Sequence, residues 1–371
     1  MTLRVDILRP TLGAGGADRV TLTLLRGLDR SRFAPRLVLL RREGELMDRV
    51  PPELEVVELG ARSLWTAAPP LARHLRRSTP DVLLSTSSGT NPLAVAARAL
   101  ARVRCPVVIS ERTVYRRDGA PGKRLLLNRL KRATYRHADR VTAVSEGVAR
   151  DLVRHFRLPE ERVEVVLNPV VTPRMLERSF HEVEHPWVGD ASRPLLLGAG
   201  RLVPAKGFDL LIEALARIRR THDARLVLLG DGPERETLLR RAAERGVAEA
   251  VDLPGWQEEP WAWMRRATVF VLPSRFEGLP GVLIEAMACG AAVVAADCHA
   301  GPREIVTPEE DGLLVPVGDP GALSDAVARL LDDQGLRTRL GARAAQSAGR
   351  FSVDEVLGRY ERVLAAAVAT A

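Results

Sequence analysis

The chain lacks the sequence features of membrane-spanning, disulfide-bonded and zinc-binding proteins. No apolar run approaches the roughly 18 residues needed to cross a bilayer. The first residues lead into a strand-like stretch rather than the apolar core of a signal peptide. The three cysteines, Cys105, Cys289 and Cys298, have no CxxC spacing and no paired histidines. We therefore expect a cytoplasmic protein with small buried thiols and with neither a disulfide framework nor a zinc site.

Lysine is nearly absent as well. Only three of the 55 lysine and arginine residues are lysines, and after Lys131 the only one is Lys206. A lysine ammonium is a compact charge on a flexible stem, and it binds phosphate as a point charge. The isolation of Lys206 in an arginine-rich region therefore marks it as a candidate functional cation.

Aromatic residues make up only 4% of the chain, and only Tyr115 and Tyr135 accompany its most basic stretch. This scarcity, together with the lack of a recognisable nucleic-acid module, predicts no nucleic-acid partner. The positive charge is confined to one half of the chain. Residues 1–173 carry 13 more basic than acidic residues, whereas residues 174–371 carry an excess of 5 acidic residues.

The basic stretch, residues 116–136, holds a group of leucines among arginines and lysines. Such a stretch can lie on an anionic membrane surface, with its leucines inserted and its arginines at the headgroups. It can also be an ordinary solvated helix. Because the leucines sit together and the basic residues surround them, the pattern favours the membrane.

Short apolar runs alternate with helical patterns from end to end. The predicted buried strands are residues 3–8, 36–40, 82–85, 107–110 and 140–144, followed after a break by 195–199, 226–230, 251–253, 269–272 and 292–296. The break, residues 168–194, contains four prolines and shows no clear period, as expected of a linker. Alternating strands and helices predict parallel sheets. Two such series predict an α/β fold with two Rossmann-like, doubly wound domains.

Candidate ligand-binding residues follow the predicted strands at their carboxyl ends, where open α/β sheets bind ligands. Gly15 and Gly16 lie in a glycine loop between the first strand and a helix. Arg201 and Lys206 follow the strand at residues 195–199. With two domains, we expect these ends to face each other across one cleft.

The segment FEGLPGVLIE, residues 276–285, places Glu277 and Glu285 around a tight turn that enters an apolar helical pattern. The backbone N–H groups at a helix start favour an anion such as phosphate. The hydroxyls of a ribose or a hexose are natural partners for the two carboxylates. By itself, the segment equally fits a capped helix, because the helix dipole alone favours glutamate near the start.

Four motifs together resemble those of glycosyltransferase family 4, the retaining transferases with the GT-B fold. They are GAGGADRV (13–20), GAGRLVPAKG (198–207), GDGPE (230–234) and LPSRFEGLPGVLIEAMACG (272–290). The resemblance covers nearly the whole chain. It implies an N-terminal acceptor-side domain at residues 1–172 and a donor domain at residues 173–351. A C-terminal helix at about residues 352–371 is then expected to pack back on the first domain.

The resemblance also implies roles for individual residues. Arg201 and Lys206 would hold the diphosphate of a nucleotide-sugar donor, and their charges would stabilise the departing nucleoside diphosphate. Glu277 would contact the donor sugar or brace the reacting face, and Glu285 would bind ribose hydroxyls. The donor-binding set implied in this way is Gly15, Gly16, Arg201, Lys206, Gly278, Leu279, Pro280, Gly281 and Glu285. With two fixed cations and no DxD triplet in the sequence, no metal and no other cofactor is expected.

The chain departs from the family pattern on the acceptor side. Many members carry a histidine after an N-terminal-domain strand, whereas the strand ending VVIS is followed here by Glu111 and Arg112. Relatives that build glycans on lipid carriers show a similar Ser-Glu-Arg variant. Glu111 could be a general base or a hydrogen-bond acceptor for the incoming hydroxyl, or it could pair with Arg112 and its neighbours. The sequence does not choose between these roles.

The activity expected from the resemblance is retaining, metal-independent transfer of a hexose or N-acetylhexosamine, with a UDP-sugar as donor. The basic stretch at residues 116–136 predicts a lipid-linked glycan acceptor and a peripheral location on the inner face of the cytoplasmic membrane. Two alternatives are transfer to a soluble small molecule, and a GT-B sugar-nucleotide epimerase that needs no acceptor.

Overall fold

The structure is a computed structural model that describes residues 2–13, 15–115, 121–190 and 192–370. The side chains of Pro121, Lys123 and Arg124 are also outside the description. The predicted membrane-binding stretch therefore lies partly outside the described residues, at its N-terminal end. The chain forms two compact units: Met1–Pro169 with Val353–Ala371, and Val170–Ser352.

Each unit is built on one parallel β-sheet. The first sheet contains β1 (Leu3–Arg9), β2 (Phe33–Leu39), β3 (Val56–Glu58), β4 (Val82–Ser85), β5 (Val107–Glu111), β6 (Arg140–Ala143) and β7 (Val163–Val165), in the order β3-β2-β1-β4-β5-β6-β7. The second contains β8 (Leu195–Ala199), β9 (Arg225–Leu229), β10 (Val251–Gly255), β11 (Val269–Leu272), β12 (Val293–Ala296) and β13 (Leu313–Val315), in the order β10-β9-β8-β11-β12-β13.

Helices connect the strands and cover the sheets. They are α1 (Gly16–Gly27), α2 (Ala68–Ser78), α3 (Thr90–Ala101), α4 (Pro121–Thr134), α5 (Glu146–Phe156), α6 (Pro173–Arg178), α7 (Phe208–Ile218), α8 (Arg235–Glu244), α9 (Trp261–Arg266), α10 (Gly281–Ala288), α11 (Pro302–Ile305), α12 (Pro320–Asp332), α13 (Gln334–Ser347) and α14 (Val353–Ala369). The central strands, with helices on both faces, are mostly buried, which explains their apolar runs. Within the described residues, no helix is both long and apolar enough to cross a bilayer.

The predicted α/β fold class is confirmed, since both sheets are parallel and their helices are interleaved with the strands. Three strands escaped the sequence analysis: β3, β7 and β13, each of three residues at the edge of a sheet. Helix α6 lies in the proline-rich break that was predicted to hold the linker. Cys105, Cys289 and Cys298 are buried, as expected, and each is a free thiol.

The C-terminal helix α14 belongs to the core of the first unit. Its buried residues pack with side chains from β1, β2 and α1; they are Val356, Leu357, Tyr360, Val363, Leu364 and Ala367. The contact is close, since a Cβ at Gly27 in α1 would collide with Leu357. The first unit is therefore assembled from both ends of the chain.

Each sheet has a point at which the chain reverses its direction of strand addition. In the first unit this point lies between β1 and β4, and in the second unit between β8 and β11. Ligands of open α/β sheets bind outside the carboxyl ends of strands at such a point. Arg201 and Lys206 follow β8, and Glu277 follows β11, so the second unit brings these candidates to one crevice.

Candidate functional site

Lys206 and Glu277 form an ion pair at the crevice of the second unit. The Lys206 Nζ atom lies 2.6 Å from Glu277 Oε1, and the two side chains are 19% and 10% exposed. The family resemblance implies separate duties for these residues, to the phosphate and to the sugar, and does not predict their contact. One carboxylate and one ammonium are thus held together where β8 and β11 end.

The two oxygens of Glu277 have different environments. Oε1 accepts hydrogen bonds from both Lys206 Nζ and the hydroxyl of the fully buried Ser274, the latter at 2.7 Å. Within the described part of the chain, Oε2 has no protein partner. A carboxylate fixed through one oxygen in this way presents its other oxygen as an oriented hydrogen-bond acceptor.

The turn that carries Lys206 is shaped by two glycines. Lys206 ends a 3₁₀ turn, Pro204–Lys206, and Gly207 follows it with φ +67°, in the left-handed region that favours glycine. A Cβ at Gly207 would also collide with the carbonyl oxygen of Pro273. At Gly200 the Lys206 side chain passes so near that its Cε would be 3.2 Å from an added Cβ. The motif glycines thus hold the lysine against the end of β11.

Arg201 supplies a second, uncommitted cation beside this pair. It directly follows Gly200, over which the Lys206 side chain runs, and it is exposed. Within the described residues, its guanidinium makes no ion pair or hydrogen bond. Five N–H donors are therefore available to an anion at this position.

The turn Gly278–Gly281 leads directly into α10, which begins at Gly281. No side chain caps this helix, and its first-turn N–H groups lack intrahelical acceptors by geometry. The helix N-terminus, which follows Leu279 and Pro280, therefore suits an oxyanion. Glu285 is the fifth residue of α10 and is part-buried. A carboxylate that only stabilises the helix dipole is expected in the first turn, and Glu285 lies beyond that turn.

Arg275 joins the turn of Lys206 to the turn of Glu277. Its backbone N–H donates to the Ala205 carbonyl at 2.8 Å, and its Nη1 donates to the Pro204 carbonyl at 2.9 Å. The guanidinium also forms a bidentate pair with Asp209, with both N···O distances 2.7 Å. Nothing in the sequence distinguished this arginine from the other arginines of the unit.

We expect Arg275→Lys to lower kcat about tenfold, because the paired turns lose the fork that fixes their spacing and small displacements of reacting groups are costly. The unfolding free energy should fall by about 1–2 kcal/mol. Steady-state kinetics and urea unfolding check both. Arg220→Lys, at an exposed position of the same unit, is the matched control. Equal effects in the two variants would contradict this role of Arg275.

In the first unit, Glu111 lies at the end of β5 inside a saturated hydrogen-bond network. The carboxylate is 1% exposed and its Oε2 accepts from Lys131 Nζ at 2.8 Å and from the Tyr135 hydroxyl at 2.7 Å. Its Oε1 accepts from the hydroxyls of Ser88 and Thr113. Each oxygen of Glu111 is therefore occupied by protein donors.

The network decides the ionisation state of Glu111. Burial alone would raise the pKa of this carboxyl, but the charge of Lys131 and the hydrogen bonds from Lys131, Ser88 and Tyr135 outweigh it and lower the pKa to about 2. So acidic a carboxyl is a weak proton acceptor near neutral pH. Of the roles left open by the sequence, pairing within the protein fits this geometry best. The side-chain partner is Lys131, however, and not Arg112 as suggested.

Arg112 points elsewhere. Its Nη1 donates to Asn168 Oδ1 at 2.7 Å and its Nη2 donates to the Tyr360 hydroxyl of α14 at 3.0 Å. The guanidinium is part-buried. Arg112 therefore connects the end of β5 to Asn168, which follows β7, and to α14.

The glycine loop lies at the end of β1. Gly15 is the N-cap of α1, and its carbonyl accepts from the backbone N–H groups of Asp18 and Arg19, both at 3.0 Å. A Cβ at Gly16 would meet no atom within 4 Å, so this position faces open space. Asp18 pairs with the buried Arg9, which fixes the start of α1 against β1.

Sequence reasoning missed Ser274, Arg275 and Lys131 as parts of these sites. Lys131 carried a usable signal, because it is one of only three lysines in an arginine-rich chain. Both lysines whose side chains are described, Lys131 and Lys206, pair with a glutamate at the end of a strand. The scarcity of lysine therefore points to two sites, those of Lys131 and Lys206, and only the second was predicted from it.

Known protein families match both halves of the chain. The family described as glycosyltransferase family 4 matches residues 14–174, and the family described as glycosyl transferases group 1 matches residues 184–347. The structure resembles that of Anabaena HepE in complex with UDP and glucose, with a TM-score of 0.81 at 20% identity over 98% of this chain and 100% of that one.

Two relatives from Campylobacter jejuni match over most of their length. An N-acetylgalactosamine-N,N'-diacetylbacillosaminyl-diphospho-undecaprenol 4-alpha-N-acetylgalactosaminyltransferase is 29% identical, over 92% of this chain and 93% of the relative. A GalNAc-alpha-(1->4)-GalNAc-alpha-(1->3)-diNAcBac-PP-undecaprenol alpha-1,4-N-acetyl-D-galactosaminyltransferase is 25% identical, over 98% of both chains.

The fold, the paired motifs and these matches define a sugar-transferring enzyme with the GT-B fold. The two family matches, which together span most of the chain, and the relatives show a glycosyltransferase of the group 1 and family 4 type, a hexosyltransferase. The predicted family and enzyme class are confirmed.

Proposed function

We propose that this enzyme transfers a hexose or N-acetylhexosamine from a UDP-sugar to a hydroxyl of a lipid-linked glycan, with retention of configuration and without a metal. The observation that carries the proposal is the Lys206–Glu277 pair at the end of β8 and β11. The undecaprenol-linked acceptors named for the two Campylobacter relatives support the acceptor class. The UDP in the complex of HepE supports the donor class.

The charges of the second unit fit a departing nucleoside diphosphate. Cleavage of the glycosyl bond leaves negative charge on the leaving phosphate. This phosphate is proposed to lie next to Lys206 and to Arg201, whose guanidinium has no protein partner in the described residues. The N-terminus of α10 adds partial positive charge. These fixed groups supply the neutralisation for which other glycosyltransferases use a divalent ion, and metal independence is proposed on that ground.

Glu277 is proposed to orient the donor sugar through Oε2 while Lys206 and Ser274 hold Oε1. Glu285, the fifth residue of α10, is proposed to accept hydrogen bonds from the ribose hydroxyls. Retention then follows from attack of the acceptor hydroxyl on the face that the diphosphate leaves: the acceptor oxygen bonds to the anomeric carbon as the bond to the diphosphate breaks, and the hydroxyl proton passes to the departing phosphate oxygen. No protein nucleophile is required. Glu111, with its low pKa, serves in this scheme as a positioning residue.

A donor screen tests the proposal. Each of several nucleotide sugars is incubated with the protein, with and without a lipid-linked disaccharide acceptor, in the presence of EDTA, and nucleoside diphosphate release is measured. We expect release only with a UDP-sugar and acceptor together. Conversion of the sugar without acceptor would indicate an epimerase. An inverted anomeric configuration in the NMR spectrum of the product would contradict retention.

The outer face of α4 is proposed to contact the membrane that carries the acceptor. Leu125 and Leu126 are 53% and 52% exposed, and Arg129, Arg132 and Arg136 are exposed along the same helix and the turn that follows it. Lys131 points inward to Glu111. Exposed leucines beside arginines complement an anionic surface.

We expect Leu125→Glu/Leu126→Glu to weaken binding to phosphatidylglycerol vesicles about tenfold or more, because two apolar anchors are lost and two negative charges are gained. Vesicle flotation measures the effect. Leu100→Glu, at a leucine that is 48% exposed on α3, is the matched control. If wild-type protein floats with neither neutral nor anionic vesicles, the soluble-acceptor alternative is favoured.

A further inference from the structure

Two arginines lie together at the carboxyl edge of the first sheet. Arg9 ends β1 and is 6% exposed, and Arg112 follows β5. Only β4 lies between β1 and β5, and the three strands are aligned there, since Leu8 is opposite Ser85 and Ser85 is opposite Ile109. Burial lowers the pKa of Arg9, and the positive charge of Arg112 acts in the same direction. Two like charges therefore lie at this edge of the sheet.

The protein neutralises only one of these two charges. Arg9 pairs with Asp18 and also donates to the Thr86 carbonyl at 2.9 Å. Arg112 donates to an amide and a phenol, those of Asn168 and Tyr360, and within the described residues it pairs with no carboxylate. The adjacent Glu111 is already engaged by Lys131.

Donor groups at this edge also exceed the acceptors that the protein offers. The Nε atoms of Arg9 and Arg112 are both buried, and neither has a hydrogen-bond partner in the described structure. Buried polar groups are normally paired, and an exception at a charged group calls for a partner of opposite charge. The neutral acceptors on Arg112 fix the direction of its guanidinium without cancelling its charge.

We propose that Arg112, with Arg9 behind it, forms a phosphate-binding subsite in the first unit. Arginine presents a planar fork of donors that matches phosphate oxygens. The phosphate is assigned to the carrier of the acceptor, and this assignment rests on the proposed lipid-linked substrate.

Two observations favour the acceptor over the donor as the source of the phosphate. The cations suited to the donor diphosphate, Lys206 and Arg201, lie in the second unit. Lys131, in contrast, anchors the proposed membrane-facing helix α4 to Glu111, the residue that precedes Arg112. The phosphate of a membrane-anchored acceptor would therefore reach the same edge of the sheet as the helix that contacts the membrane.

The test is calorimetric titration of the full-length protein with geranyl diphosphate, and with geraniol as the uncharged counterpart. UDP is present at saturation, and the titration is repeated in Lys206→Ala to silence the second unit. We expect Arg112→Gln to weaken geranyl diphosphate binding about tenfold or more, which is the loss of a charge-assisted hydrogen bond. Geraniol binding and UDP binding should not change. Arg73→Gln, at an exposed arginine of α2, is the matched control.

Two results would overturn the proposal. Arg112→Gln could bind geranyl diphosphate as tightly as wild type, or it could lose affinity for UDP instead, which would assign Arg112 to the donor. If Arg112→Gln does not fold, Arg112→Lys is measured instead. We expect it to bind geranyl diphosphate about threefold more weakly than wild type, because the charge remains but the planar fork of donors is lost. Binding needs no sugar transfer, so failure of the donor screen would refute the proposed function separately.

Discussion

Lys206→Ala is expected to lower kcat/KM for sugar transfer by about a hundredfold to a thousandfold, the effect of removing one fixed charge from a developing oxyanion. The variant loses the ammonium that faces the diphosphate. It also leaves Glu277, which is only 10% exposed, without its counter-charge beside the donor phosphates. Initial rates of nucleoside diphosphate release measure the change.

The control for charge is Arg240→Ala, which removes an exposed cation from α8 in the same unit and should leave the rate unchanged. Lys206→Arg should recover only part of the rate. The lysine stem passes so near Gly200 that an added Cβ there would lie 3.2 Å from its Cε, and a guanidinium is broader than an ammonium. Near-normal turnover in Lys206→Ala would show that the diphosphate binds elsewhere.

Lys131→Met should destabilise the first unit by about 3–5 kcal/mol, because it leaves a buried carboxylate without its cation. Methionine keeps the length of the side chain, so the lost charge and not a cavity is measured. Urea unfolding followed by circular dichroism gives the free energy. Adding Glu111→Gln in the same chain should recover part of the loss, since the buried charge is then removed from both partners.

Arg132→Met is the matched control, because it removes an exposed basic residue from the same helix. It should change the unfolding free energy by less than about 0.5 kcal/mol. If Lys131→Met is as stable as Arg132→Met, the buried pair contributes nothing measurable.

The same pair sets the acid sensitivity of the first unit. The pKa of Glu111 is lowered to about 2 from an ordinary value of 4.5, so its contribution to stability is complete above about pH 4.5. The contribution is lost as the pH falls from there towards 2. In Lys131→Met the charge of Lys131 no longer lowers the pKa of Glu111, so stability should already decline at higher pH than in the wild type.

The sequence predicted the central strands better than the edges of the sheets. β8 and β11 were predicted with their observed bounds because central parallel strands are buried on both faces and read as continuous apolar runs. β3 and β7 are three-residue edge strands that are partly exposed, and so short a segment shows neither a run nor an alternation. Their pairing depends on the neighbouring strand rather than on their own residues.

In the candidate sites too, local features were predicted from the sequence and contacts between distant segments were not. Glycine spacing and an isolated lysine pointed to Lys206, because both signals are local. Its partner Glu277 lies 71 residues away in sequence, and so does Pro204, in the turn of the lysine, from Arg275, which donates to its carbonyl. Only the pairing of β8 with β11 brings these distant segments together. The network of Glu111 is likewise assembled from three separate segments, so the pattern around Glu111 could not distinguish a base from a buried ion.

The placement of α14 has a consequence for synthesis of the protein. The second unit is one continuous segment, Val170–Ser352, and all of it leaves the ribosome before α14 does. The first unit must wait for its last helix, and until then the apolar side chains that meet Tyr360 and Leu364 stay uncovered. We expect the second unit to fold before the first is complete, with the unfinished core of the first unit as the surface that a chaperone would recognise.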